Sequence, residues 1–380
     1  MTDKLNPASL LLTLLAVSIT LPALAQPSKG AITEFDAPGA GTVSLPACAP
    51  FCGTAAFAIN TEGAIAGSYT DTNIVPHGFL RSVDGHITSF DAPGAGLGHG
   101  LNQGTVAFSV NDLGVIAGQF EDSSYVFHGF VRYADGSFST FDAPGAGTRA
   151  NQGTLALSLN SAGVAAGSYV DGSNLQHGFV RSSNGAITTF DAPGAIATTP
   201  CKATCINANG AIVGYYVDAN GVLYGFLRQP GGTMVAIDAP GAGAAAGQGT
   251  IAESIDLNGG IAGYFVDSKL AIHGFLRTPD GQFSKVDVPA AGHGAEQGTA
   301  PLSLSLSGIA GDFLDSKGVM HGFSRSNAGF VVIFDAPGAG AAAGQGTRPS
   351  KCNQGGSVTG WFVDSNNLNY GFLWQPSVIP

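Results

Sequence analysis

The sequence predicts an all-β fold, a seven-bladed β-propeller with four antiparallel strands per blade and an N-terminal strand that closes the last blade. Two repeated motifs and a complementarity between the chain ends carry this expectation. The motif Phe-Asp-Ala-Pro-Gly, or a close variant, begins at Phe35, Phe90, Phe141, Phe190, Ile237, Val286 and Phe334. A second motif, His-Gly-Phe or Tyr-Gly-Phe, begins at His77, His128, His177, Tyr224, His273, His321 and Tyr370. Successive copies stand 47 to 55 residues apart, a period suited to propeller blades. Before the first full repeat stands a lone strand, Ala31–Ala37, and after the last repeated strand, Tyr370–Trp374, its counterpart is missing. Pairing the two leaves no open sheet edge, whereas an open array leaves two. A solenoid would need capping units, and this chain shows none.

The third repeat illustrates the elements in order. Thr154–Asn160 alternates and ends in an Asn-x-x-Gly turn, and Val164–Asp171 follows with small and β-branched residues. Gln176–Arg181 comes next, then the Asn184-Gly185 turn, then Ala186–Ala192 before Pro193-Gly194. These are four strands, A to D, joined by hairpin signals. Asp84-Gly85, Asp135-Gly136 and Asp280-Gly281 supply the positive φ that the C–D hairpin requires.

A length of 380 residues would ordinarily suggest two or three domains, but the repeats point to one, spanning 26–380. Charged residues make up 11% and glycine numbers 57, which suits short strands and tight turns. The net charge of -11 provides no basic footprint, so neither nucleic acid nor an anionic membrane is an expected partner. Residues 1–25 read as a signal peptide: Lys4, an apolar run from Ala8 to Leu24, and Ala23-Leu24-Ala25 before Gln26-Pro27. A retained anchor is the alternative. No later apolar run is long enough to span a bilayer as a helix. The expected location is secreted, periplasmic or at the cell envelope, and the expected state is a monomer. In that setting Cys48–Cys52 and Cys201–Cys205 read as local disulfides, leaving Cys352 as a thiol. A zinc framework is the weaker reading, because the Cys-x3-Cys pairs lack histidines.

The repeats resemble the bacterial extracellular family called HAF, named for a His-Ala-Phe tripeptide. The resemblance spans Gly30 to Pro380 and rests on Gly-Phe-Leu-Arg at Gly78–Arg81 and Phe-Asp-Ala-Pro-Gly at Phe90–Gly94. The naming tripeptide departs at its middle residue, as in His77-Gly78-Phe79. What the resemblance implies is export and repetition, with no reaction attached.

Within each repeat an Asp ends strand B six residues before the His or Tyr of strand C, and another Asp follows that position by fourteen. The expected rows are Asp71–His77–Asp91, Asp122–His128–Asp142, Asp171–His177–Asp191, Asp267–His273–Asp287 and Asp315–His321–Asp335. Histidine between carboxylates can serve acid–base chemistry or a metal. Repetition around a ring instead favours a structural tie, so no catalytic residue, metal or other cofactor is assigned. Strand C also carries Arg81, Arg132, Arg181, Arg228, Arg277 and Arg325, with Trp374 in the seventh place.

The D-to-A connections carry Gln-Gly-Thr at Gln103, Gln152, Gln248, Gln297 and Gln345. Five amides ringing a channel mouth could take a polar ligand, and an inter-blade hydrogen-bond girdle is the competing reading. In strand B, Ser68, Gln119, Ser168, Tyr215, Tyr264, Asp312 and Trp361 occupy one equivalent position. Its variation allows stacking on Tyr215, Tyr264 and Trp361, or simple packing.

The function expected is an extracytoplasmic binding module for a glycan or another protein. The alternatives are a propeller lyase or glycosidase acting on polysaccharide and a structural envelope component. An enzyme would draw on residues outside the repeat pattern, such as His99, Arg149, Glu253, His293 and Glu296, which lack the paired-carboxylate logic of glycoside hydrolysis.

Overall fold

The computed structural model describes residues 30–44, 52–98, 103–200 and 205–377. The segment 1–25, Cys48, His99 and Cys201 lie outside the described residues. Within them the chain forms 28 strands and no helix. Each repeat folds as an antiparallel meander: in the third, Gly153–Leu159 pairs with Ala165–Val170, that strand with Gln176–Arg181, and that with Ile187–Phe190. The N-terminal strand Ala31–Phe35 takes the D position of the last repeat, with Ala31 opposite Gln375 and Phe35 opposite Gly371. The fold is therefore an all-β, propeller-like array of four-stranded sheets.

The motifs have direct physical roles. In Gln-Gly-Thr, the Gly makes a parallel bridge to strand C of the preceding repeat, as in Gly153 with Phe127, Gly249 with Leu223 and Gly298 with Ile272. At that close approach a side chain at Gly153, where φ is 116°, would collide with the Phe127 carbonyl. The following Thr hydroxyl accepts the N–H of the residue after the motif Asp: Ala92 to Thr105, Ala143 to Thr154 and Ala239 to Thr250, each at 2.9 Å. These Thr residues are wholly buried. The motifs thus join the D strand of one repeat to the A strand of the next.

The second motif builds the core. Its Phe residues, Phe79, Phe130, Phe179, Phe226, Phe275, Phe323 and Phe372, are among the largest fully buried side chains. Its Gly is the seat for the aromatic ring that opens Phe-Asp-Ala-Pro-Gly: a Cβ at Gly78 would lie 2.5 Å from the Phe90 ring, and one at Gly178 2.5 Å from Phe190. This contact leaves no space for a Cβ at the motif's Gly. Gly178→Ala should destabilise by ~1–3 kcal/mol through overpacking. Urea unfolding that left the midpoint unchanged would remove this account of the glycine.

Between repeats, the strand-C arginines lie over D-strand rings of the preceding repeat. Arg132 stands 4.8 Å from the Phe90 centroid, Arg181 4.9 Å from Phe141 and Arg228 4.8 Å from Phe190. Trp374, in the seventh place, stacks on Phe334 at 4.8 Å. The last repeat meets the first in the same manner, with Arg81 over Phe35 at 5.0 Å and a parallel bridge between Gly53 and Asn369.

Two local departures shape the centre. Six strands A carry a register shift at one equivalent place, Ala56/Ala58, Ala107/Ser109, Ala156/Ser158, Ala252/Ser254, Pro301/Ser303 and Pro349/Lys351, and that of the fourth repeat carries one earlier, at Ala195/Ala197. Such a bulge re-aims the extra residue. In the fourth repeat the described part of the strand runs Ala195–Pro200, and Ile206 pairs with Ile212 in an isolated bridge.

Candidate functional site

The Asp and His series come together in rows. In each of the five His-bearing repeats the His Nδ1 lies 2.9 to 3.0 Å from the strand-D Asp, and its Nε2 lies 3.5 to 3.7 Å from the strand-B Asp. The strand-B Asp is itself held: Asp71 Oδ1 accepts the N–H groups of Asn73 and Val75 at 2.8 and 2.9 Å, which shapes the B–C hairpin. Each imidazole also lies against an aromatic ring, such as Tyr169 against His177 at 4.9 Å. Both ring nitrogens face carboxylates, and the same constellation recurs in every His-bearing repeat, so its evident work is to tie strands B, C and D. Among the described residues no three carboxylate, imidazole or thiol groups converge to hold a metal.

The hydrogen bond to Asp91 raises the His77 pKa above its usual 6.5; burial opposes this, and the charges of Asp91 and Asp71 add to it. For Asp71, burial pushes upward, but the N–H groups of Val75 and Asn73 outweigh it and hold the carboxyl below 3.8. A raised His pKa contributes stability that is complete below 6.5 and lost as pH climbs through the folded value. A lowered Asp pKa contributes stability present above 3.8 and lost in acid. His77→Ala should therefore cost ~1 kcal/mol at pH 6, with the gap to the unmodified protein narrowing on the alkaline side of neutrality. Equal unfolding midpoints for the two proteins throughout pH 5 to 9 would exclude the row from the stability of the fold.

The glutamines do not present their amides to a channel mouth. Gln103 and Gln152 are 1% and 2% exposed, and the bonded amides tie their own loops to the neighbouring B–C hairpin. Gln152 Oε1 accepts the Arg149 N–H at 3.1 Å and its Nε2 donates to Asn174 at 2.9 Å. Gln345 does the same with Ala342 and Asn367, while Gln248 and Gln297 receive N–H groups of Ala245 and Gly294. Four of the five amides thus brace their own loops by accepting backbone N–H groups, whereas Gln103 Nε2 is buried with no partner among the described residues.

Cys52 is disulfide-bonded. Cys205 is buried, and Cys352 is a buried thiol 3.4 Å from the Ser303 hydroxyl, its pKa pushed up by burial.

Sequence reasoning took the Asn-x-x-Gly segments only as turns, and missed that they also link repeats. Asn60 Oδ1 accepts the N–H groups of Gly63 and Ala64, shaping its own turn, while its Nδ2 donates to the Asn111 carbonyl. Asn111 reaches Asn160, Asn160 reaches Asn207, Asn207 reaches Asp256, and Asn353 reaches Asn60 at 3.1 Å. These turns surround a cavity of about 220 Å³ lined by residues of every repeat, including Asn60, Asn111, Asn160, Asn207, Asp256 and Asn353. The cavity marks the axis, and the strands A descend from it.

Further along strands A and B, the partly exposed positions do not repeat. Along the interior of strands B, Ser68, Gln119, Tyr264, Asp312 and Trp361 keep partial exposure while the residues on either side are buried. The bulge residues Phe57, Phe108, Glu253 and Leu302 do the same in strands A. On one arc, Phe57 lies 5.3 Å from Phe108 and 5.5 Å from Trp361, joining the seventh, first and second repeats. The other arc is polar. Burial raises the Tyr215 and Tyr264 phenols, and the negative charge of Glu253 adds to both. Asp312 is pushed up to about 7 by burial, with Arg348 and its own N–H acting in the opposite direction. The same strand face as Gln119 carries Glu121 two residues on, also raised to about 7 by burial and by the neighbouring Asp122.

The other residues outside the repeat pattern are dispersed. Arg149 is exposed on the D–A loop of the third repeat, and His293 and Glu296 are exposed on that of the sixth. Among the described ones, Glu253 differs in lying on a strand, with its charge near Tyr215 and Tyr264.

No protein-family model matches the chain, and a comparison with curated proteins finds no match. Solved structures do share its architecture. A streptogramin B lyase matches with a TM-score of 0.51 at 15% identity, over 91% of this chain and 98% of that one. The BP39L lectin from Burkholderia pseudomallei matches with a TM-score of 0.53 at 11% identity, over 86% of this chain and 98% of the lectin. A puromycin hydrolase matches with a TM-score of 0.54 at 12% identity, over 86% of this chain and 53% of the hydrolase. At these identities the likeness establishes the propeller fold alone.

Proposed function

We propose that the chain is an exported, HAF-type repeat protein whose seven four-stranded units are the blades of a closed ring. It acts as a monomeric binding module outside the cytoplasm, taking a small polar group, at the end of a glycan or on a protein, into its axial lumen. The observation that carries this reading is the broken symmetry of the lumen wall. Strands C and D repeat nearly residue for residue, as a scaffold requires, whereas one strand-B position runs Ser68, Gln119, Ser168, Tyr215, Tyr264, Asp312, Trp361. A partly apolar concavity with a few convergent polar groups is the usual form of a small-ligand site. The enzyme reading has less support, since Arg149 stands on one exposed loop and His293 and Glu296 on another, three repeats away.

A screen of the mature protein against glycans and small metabolites, followed by calorimetric titration of whatever scores, tests the proposal. One ligand per chain is expected, weakened by Trp361→Leu and left unchanged by Gln152→Ala, which acts on a loop. Several equivalent sites per chain, or affinity insensitive to Trp361, would move the site away from the axis. Turnover of any ligand would replace the module with an enzyme.

A further inference from the structure

Two ties recur between neighbouring repeats. At the axial mouth, the turn Asn of one repeat donates its Nδ2 to a carbonyl of the next, as Asn60 does to Asn111 at 3.3 Å, Asn111 to Asn160 at 3.2 Å and Asn207 to Asp256 at 3.0 Å. On strand C, an Arg or Trp lies on the ring that opens the preceding repeat's Phe-Asp-Ala-Pro-Gly motif, as Arg181 does on Phe141 at 4.9 Å. Among the described residues, the contact between the fifth and sixth repeats alone has neither. Its turn residue is Asp256, whose carboxylate accepts the N–H groups of Asn258 and Gly260 at 2.9 and 2.8 Å, as an Asn would, but carries no N–H to pass onward. Its motif opens on Val286, which offers Arg325 no ring. The flanking contacts each keep one tie. Ile237 replaces the ring between the fourth and fifth repeats, but the Asn207 link is present. Ser305 ends the Asn series before the seventh repeat, but Trp374 stacks on Phe334 at 4.8 Å.

The general scaffold persists at this contact. Gly298 bridges Ile272, Thr299 Oγ1 accepts the Val288 N–H at 2.9 Å, and Ser254 Oγ accepts the Leu304 N–H at 2.9 Å. Val286, Val288, Leu304 and Phe323 share one apolar cluster, and Pro301 packs against Gly274, where an aromatic ring sits on the equivalent glycines. The same two hydrogen bonds join the second and third repeats, from Ala143 N–H to Thr154 at 2.9 Å and from Leu159 N–H to Ser109 at 3.1 Å. There both ties are present as well. Local opening costs the interactions that it breaks, and a ring needs to part at only one contact to open. The contact that lacks both ties is the one that yields first.

We propose that the ring opens between its fifth and sixth repeats, in local fluctuations that leave the other contacts closed. The proposal rests on the closed-ring reading and adds the place where that ring yields. Asp256 and Leu304 both line the axial cavity, so parting their repeats widens its mouth.

Native-state hydrogen exchange of the full chain tests this on matched amides, read as protection factors so that intrinsic exchange rates cancel. Val288 and Leu304 should be protected about tenfold less than Ala143 and Leu159, which make the same bonds at a contact with both ties. Asp256→Asn keeps an acceptor for the Asn258 and Gly260 N–H groups and supplies the missing donor toward the sixth repeat. Protection at Val288 and Leu304 should then rise about fivefold, the worth of one hydrogen bond, with Ala143 and Leu159 unchanged. Asn111→Asp removes the tie between the second and third repeats and should lower Ala143 and Leu159 by about the same factor. Equal protection at the two contacts, or matched amides that respond to neither variant, would overturn the proposal and leave the closed ring in place. Ala37 donates its N–H to Thr54 Oγ1 at 2.9 Å where the last repeat meets the first. Protection lowest at that amide would show the chain parting at its joined ends, against the closed-ring reading itself.

Discussion

Removal of residues 30–39 is expected to turn a cooperative unfolding transition into a broad, aggregation-prone one. The deleted strand contributes five registered positions against the last strand. It also carries the Phe35 ring, which Arg81 covers at 5.0 Å and Phe79 meets edge-on at 6.2 Å, and Glu34, which accepts the Gly338 N–H at 2.7 Å. Its loss uncovers the backbone of the last strand as an open edge and takes away the seat of Arg81. Truncating Phe35 alone to Ala should cost ~3 kcal/mol or more, as for a large aromatic removed from a packed site. The full deletion should exceed that and abolish two-state behaviour. A truncated protein that melts at the same temperature and with the same sharpness as the undeleted chain would show that the strand does not hold the ends together.

Asp312→Asn should stabilise the protein at pH 8. Its carboxyl is pushed from 3.8 up to about 7, first by burial, so between those values the folded protein holds a proton that the unfolded chain has released. Stability must then fall as pH rises from about 4 to about 7 and level off above. A displacement of this size corresponds to roughly 2–4 kcal/mol at pH 8, the lower end allowing for solvent that reaches the carboxylate through the lumen. The neutral amide avoids this cost. Denaturation should therefore show the variant well ahead at pH 8 and level with the parent near pH 4. A variant less stable than the parent at pH 8 would mean that the carboxylate is already satisfied in the folded protein. A residue kept at such a cost in stability is the kind that function retains.

The repeat period, the strand order and the role of the ends were all legible in the sequence, because each rests on residues whose local physics is unambiguous. Asp-Gly and Asn-Gly enforce hairpins, and His-Gly-Phe facing Phe-Asp-Ala-Pro-Gly fixes which strands adjoin. The Asp and His spacing likewise anticipated side chains that meet at 2.9 Å. The glutamines were harder. Their spacing placed them correctly in the D–A loops, but a polar residue beside glycine reads equally as an exposed ligand contact or as a buried loop brace, and only Gly147 packed against Gln152 decides for the brace. The Asn60-to-Asn111 link was hidden for the same reason, since one side chain serves both its own turn and the neighbouring repeat. The lumen was hidden because it depends on bulges. The run Gly249–Ile255 gives no warning that the register shifts around Glu253 and gives that residue partial exposure while both its neighbours are buried. Variation at Tyr215, Tyr264 and Asp312 was visible, but not that these positions share one space.

Gly30 lies directly against Gln375 and Trp374, so the two ends of the described chain adjoin within a single sheet. The bridging of one repeat to the next is the same kind of parallel Gly contact at Gly53 with Asn369 as at Gly153 with Phe127, whether or not the backbone runs through. The place where the polypeptide is interrupted is therefore almost arbitrary for the architecture. Joining residue 375 to residue 30 by a short linker and reopening the chain in another D–A loop would give a circular permutant with the same neighbours around every strand. Such permutants would also let a reporter domain be attached on the D–A side of any chosen repeat.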